Sequence, residues 1–188
     1  MKLKRPKQPK SPEKPLPSVV PGQIQNIITN FIRDAAESTQ EPATGQDQVI
    51  FQWKNGTRSI LDSIKENMEQ TETTIVIETP QVEKEILETL SETAYKKKGA
   101  RFMYITSWDL ATYGAIVRKM KVFGNIQFRQ LGSPAECWAC TRDAQEVIFA
   151  PNAESEEEII GIASTDEKYV NFYAQSIGPL LLAGSRPI

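Results

Sequence analysis

The chain has 188 residues, 39% of them hydrophobic, with 22 Lys and Arg against 24 Asp and Glu and not one histidine. That length and apolar content support one ordinary domain with an appendage. The missing imidazole removes the commonest acid/base group at neutral pH, a favoured metal ligand, and Ser-His or Cys-His activation of a nucleophile.

The formal charge of −2 conceals a polarity. Residues 1–15 hold Lys2, Lys4, Arg5, Lys7, Lys10 and Lys14 against Glu13, a local +5 that leaves the rest of the chain at −7. An acidic body has no general field for nucleic acid or an anionic membrane, so such contact is expected only from the arm. Residues 1–21 also carry Pro6, Pro9, Pro12, Pro15, Pro17 and Pro21, the composition of an extended, disordered segment. It reads either as a spacer or as a cationic arm for nucleic acid or an acidic partner. No run reaches the roughly 18 apolar residues of a membrane span, and the N-terminus lacks the apolar centre of a secretory signal. The chain therefore reads as soluble and cytoplasmic, without membrane contact.

Ile24, Ile27, Ile28, Phe31 and Ile32 recur at helical spacing and predict an amphipathic helix over 23–38. It would either cap the following domain or pair with a second copy. Residues 22–45 thus form a helix and linker, and residues 46–188 an α/β domain, in which strand and helix periods alternate. Strands are expected at 48–53, 73–79, 101–107, 126–131, 136–142, 146–150 and 159–164. Helices are expected at 56–69, 81–98 and 109–121, with a final one from Asp166 to Leu182. Asp143-Ala144 reads as a tight hairpin, and the run Lys96–Lys98 before Gly99 as a helix C-terminus.

No phosphate-cradling glycine loop or P-loop lysine occurs. Cys137 and Cys140, the only cysteines, have the spacing of half a zinc site or a redox pair, yet no ligands exist to complete four. In a strand, an offset of three puts them on opposite faces, so they read as structural thiols. No cofactor or metal is expected. Asn55-Gly56-Thr57 matches a glycosylation acceptor that an intracellular chain does not use.

The order helix, strand, helix, strand, hairpin, strand, terminal helix over residues 56–183 resembles one half of a phospholipase D-like domain. More narrowly, it looks like the effector domain of archaeal TrmB-type transcriptional regulators. The resemblance implies a mixed sheet flanked by helices, a phospholipase D-like half behind a disordered arm and one leading helix. Catalytic members carry His-x-Lys-x-x-x-x-Asp on the hairpin. Laid on this chain, that pattern puts Glu136 in place of His, Trp138 in place of Lys, and Asp143 on the Asp.

A Glu cannot serve as the phosphoryl-accepting imidazole and a Trp supplies no phosphate contact, so the resemblance implies an inactive homologue. It further implies a ligand-sensing or regulatory role linked to transcription, a homodimer, and a small effector such as a sugar. Candidate ligand residues are Glu136, Trp138 and Asp143, with Ser107, Trp108, Glu78 and Thr79 at the carboxyl ends of strands, where open α/β sheets gather ligands. The winged helix of TrmB-type regulators is absent from these residues. The competing expectations are an assembly protein with a vestigial cleft, and a nucleic-acid module using the basic arm.

Overall fold

The computed structural model describes residues 22–38, 51–132, 137–153 and 155–188. The leading helix, α1 (Gln23–Ser38), is followed by β1 (Gln52–Asn55), α2 (Gly56–Gln70), β2 (Thr74–Glu78), α3 (Lys84–Lys96), β3 (Arg101–Thr106), α4 (Leu110–Lys121) and β4 (Ile126–Leu131). Then come β5 (Cys137–Arg142), β6 (Glu146–Pro151), β7 (Ile160–Ser164), α5 (Glu167–Phe172), a π-helical turn (Tyr173–Ile177), α6 (Gly178–Ala183) and β8 (Ser185–Pro187).

The eight strands of the described residues join one mixed sheet in the order β1-β7-β6-β5-β2-β3-β4-β8. Among the described residues, only β2-β3 and β3-β4 are parallel. Parallel neighbours need crossovers, supplied by α3 and α4, whereas β5, β6 and β7 pair antiparallel. The sheet is covered on both faces. One core gathers Ile60, Ile64 and Met68 of α2 and Leu90 of α3 over Ile75, Ile77, Phe102, Tyr104 and Trp138. The other gathers Ile24 and Ile28 of α1 with Tyr169, Tyr173 and Ile177 over Ile105, Ala139, Val147 and Phe149.

The apolar stripe of α1 therefore caps the sheet. Phe31 stacks on Phe172 with ring centres 3.7 Å apart and meets Phe149 and Tyr169 at its edges. Each fully buried aliphatic such as Ile28 contributes about 1.5–3 kcal/mol. Cys137 and Cys140 lie in opposite cores, as strand alternation requires.

Four expectations shift. α3 begins at Lys84 rather than 81, because the Thr79 hydroxyl donates to Gln81 O and the Tyr104 hydroxyl accepts from Glu83 N, holding the segment after Pro80 out of the helix. The terminal helix is interrupted by the π turn at 173–177. β8 was not foreseen; it is made by pairing on β4, where the Arg129 guanidinium donates to Ser185 Oγ and to the carbonyls of Leu182 and Ser185. The first strand starts at Gln52, and residues 48–50 lie outside the described residues.

Candidate functional site

The carboxyl ends of β2 and β3 bring together Thr79, Tyr104, Thr106 and Trp108. Parallel pairing sets Ile77 opposite Tyr104 and Glu78 opposite Ile105, so three hydroxyls converge. Thr79 Oγ1 lies 2.8 Å from the Tyr104 hydroxyl and 3.3 Å from Thr106 Oγ1, which in turn donates to Thr79 O at 2.9 Å. Burial pushes the Tyr104 phenol far above its ordinary range, against the opposing effect of its bonds to Glu83 N and Thr79. It stays neutral and acts only as a hydrogen-bonding group.

Beside this cluster, Trp108 is buried, its Nε1 donating to Arg129 O at 2.9 Å and its backbone N donating to Gln130 Oε1. Its ring packs edge-on against Tyr104 and Phe128. Ser107, between the cluster and α4, is half-buried. Glu83 lies half-buried next to Tyr104, and loss of hydration raises its pKa from the ordinary carboxylate value.

Trp138 is 3% exposed and belongs to the core beneath α2 and α3; its Nε1 has no acceptor among the described residues. Glu78 belongs to the opposite face. It is 1% exposed and accepts a long contact from the Cys137 thiol, 3.7 Å away. The sheet itself thus separates the indole from this carboxylate.

Asp143 is placed at the other end of the sheet. β5 runs antiparallel to β2, with Ala139 opposite Glu78 and Arg142 opposite Ile75, so five residues along the strand carry Asp143 past the start of β2. There its carboxylate accepts from Glu72 N, Thr73 N, Thr73 Oγ1 and Thr74 N. Desolvation resists ionisation, but these donors outweigh it and hold the carboxyl at about 2. Asp143 and Ala144 adopt φ of 52° and 53°, the left-handed conformation of a tight hairpin turn.

The structure accordingly brings Thr79, Ser107 and Trp108 together, holds Glu78 and Trp138 nearby on opposite faces, and puts Asp143 elsewhere. Glu136 and the basic candidates Lys2, Lys4, Arg5, Lys7, Lys10 and Lys14 lie outside the described residues. Sequence reasoning missed Tyr104, Thr106 and Gln130. A polar residue ending a parallel strand was the available sign for Thr106 and Gln130; the Tyr104 hydroxyl emerges only from register.

Cavities of about 260, 380 and 300 Å³ open elsewhere: between α2 and β1 around Asn67, at the start of β3 and β4 around Arg101, and beside Asp143 and Tyr173. Among the described residues, no group of three or more His, Cys, Asp or Glu is placed to hold a metal. Nor is any helix among them long and apolar enough to cross a membrane. Thr79, Tyr104 and Thr106 are fully buried and hydrogen-bond chiefly within the protein, so the half-buried Ser107 is the part of the strand-end cluster nearest to solvent.

With this architecture established, comparison with solved structures decides the fold. TrmBL2, an archaeal chromatin protein described as showing a novel mode of DNA binding, superposes with a TM-score of 0.61 at 12% identity. Nuc from Salmonella typhimurium, a phospholipase D family member, gives 0.54 at 12% identity.

The chain has a phospholipase D-like fold, related to that of TrmB-type proteins.

The TrmBL2 match covers 87% of this chain and 66% of that one, whereas the Nuc match covers 73% and 97%. NucT from Helicobacter pylori is similar at a TM-score of 0.53 and 11% identity, covering 73% of this chain and 99% of its own. No family model and no curated protein sequence matches. At these identities the likeness is one of fold.

Proposed function

We propose that this phospholipase D-like domain is a non-catalytic regulatory or ligand-sensing module of the cytoplasm, linked to transcription and working as a dimer or through a partner. The observation that carries the reading is Trp138. Where the resemblance calls for a phosphate-binding lysine, the chain has an indole packed in the sheet's core, and it has no histidine anywhere to act as nucleophile. An effector would sit at the carboxyl ends of β2 and β3, with the half-buried Ser107 at its edge and Thr79 and Trp108 behind it. Hydroxyls and aromatic faces suit a sugar-like ligand.

The test pairs catalysis with binding. The full chain is expected to leave bis(p-nitrophenyl) phosphate and plasmid DNA uncut, and to gain thermal stability with at least one member of a panel of mono- and disaccharides. Turnover proportional to protein concentration would overturn the non-catalytic reading. A purely monomeric sedimentation profile at high concentration would overturn the homodimer.

A second reading is an assembly protein with a vestigial cleft. It is favoured by the way the Thr79, Tyr104 and Thr106 hydroxyls satisfy one another, which leaves less for a ligand. It predicts no stabilisation by any small molecule.

A further inference from the structure

We propose that the end of the sheet opposite the candidate cleft, where α3 and α4 terminate, binds the phosphate backbone of nucleic acid. The stretch 94–125 contains Lys96, Lys97, Lys98, Arg101, Arg118, Lys119 and Lys121 against one acid, Asp109, in a body that is otherwise strongly acidic. Because β3 and β4 are parallel neighbours, both helix ends emerge at the same edge. Asn125 ties them together, its Nδ2 donating to the carbonyls of Ala94, Lys97 and Ala100 at 3.1 Å each.

A helix C-terminus attracts a cation or two on its own account, and two of these have such local roles. Lys97 donates to Thr71 O, and Lys121 to the backbone oxygen of Ile188. The others are not absorbed in that way. Lys96, Lys98, Arg101, Arg118 and Lys119 are exposed. The ion pair these five make among the described residues is Lys96 with Glu92 at 4.0 Å, both solvent-facing and worth little.

Apolar surface is exposed in the same place. Tyr95 is 64% and Val122 83% exposed, Tyr95 rests edge-on against Phe123, and Lys98 Nζ lies 5.9 Å from its ring centre. Arg101 also borders the open trough of about 380 Å³ that runs past Thr74, Asn125 and Gln127. Cations flanking an aromatic face beside a polar trough match a polyanion that also carries bases to stack. An acidic protein would use the charges and leave the ring without a role. The acidic balance of the body thus hides a local field of opposite sign, and nucleic-acid contact need not come from residues 1–15.

The test uses the full chain and fluorescein-labelled 25-mers, single-stranded and duplex, with anisotropy read from 50 to 300 mM salt. Lys98→Glu, Arg101→Glu and Lys119→Glu combined are expected to weaken binding about tenfold or more at 100 mM salt and to lower the log–log salt slope by roughly 2–3, with the melting temperature preserved. Tyr95→Ala should weaken the single strand more than the duplex, while removal of residues 1–15 leaves the charge-reversal effect intact. The proposal falls if the intact chain fails to bind at 50 mM salt, or if the triple variant binds within twofold of it. It falls equally if poly-glutamate competes as well, charge for charge, as the single strand.

Discussion

Asp143 and Thr73, seventy positions apart, are joined by two hydrogen bonds: one Asp143 carboxylate oxygen accepts from Thr73 N at 2.8 Å and from Thr73 Oγ1 at 2.7 Å. With the further donors Glu72 N and Thr74 N, this carboxylate clasps the start of β2 to the hairpin turn. The group titrates at about 2 in the folded chain and at about 3.9 when unfolded. Its folded value is the lower one, so its stabilisation is complete above about pH 4 and is lost as pH falls toward about 2. Asn tolerates the positive φ, which makes Asp143→Asn the clean variant. It should cost about 1 kcal/mol at pH 7, the group being partly open to water. Urea midpoints taken at pH 7, 4 and 2.5 should show the gap from the natural chain closing with acid; a constant gap would assign it to the turn instead.

Trp138 separates a core role from a binding platform. Replacing it by Lys recreates the residue type of catalytic relatives but buries an ammonium under α2 and α3, at an expected cost of about 3–5 kcal/mol. Trp138→Phe should recover most of that. Thermal denaturation decides: a Lys variant as stable as the natural chain would mean that the side chain reaches the cleft.

The strands around the site were legible where composition decides the outcome. The β-branched run of β2 and the Asp143-Ala144 turn follow from local preference. Register was not legible. That Tyr104 stands opposite Ile77, and so beside Thr79, depends on how two strands whose paired residues are 27 positions apart slide into place. Alternation implied that Trp138 shares a face with Cys140 and opposes Cys137, but not which helices cover that face. β8 could not be read at all, since Ser-Arg-Pro has no strand preference and becomes a strand only against β4.

Gly161 is required by sheet packing. A Cβ there would lie 2.7 Å from Ala150 Cβ and 2.9 Å from Phe149 O, and the neighbours are the buried β6 strand rather than a flexible side chain. Gly161→Ala should therefore destabilise by about 1–3 kcal/mol through overpacking. Chemical denaturation would show it as a lowered midpoint with an unchanged slope. A neutral result would mean that β7 can shift away from β6 at this point.

The cysteines permit a test of the redox reading. Both are fully buried, on opposite faces of β5. Burial pushes the Cys140 thiol far above its ordinary value, with Asn67 opposing only in part, so the nucleophilic thiolate is scarce. A disulfide needs side chains directed toward each other, which opposite faces of one strand do not allow. Ellman's reagent should accordingly find neither thiol in the folded chain and both in urea, the reaction following unfolding. One thiol titrating rapidly under native conditions would instead indicate that β5 opens locally, exposing a reactive group that its packing otherwise silences.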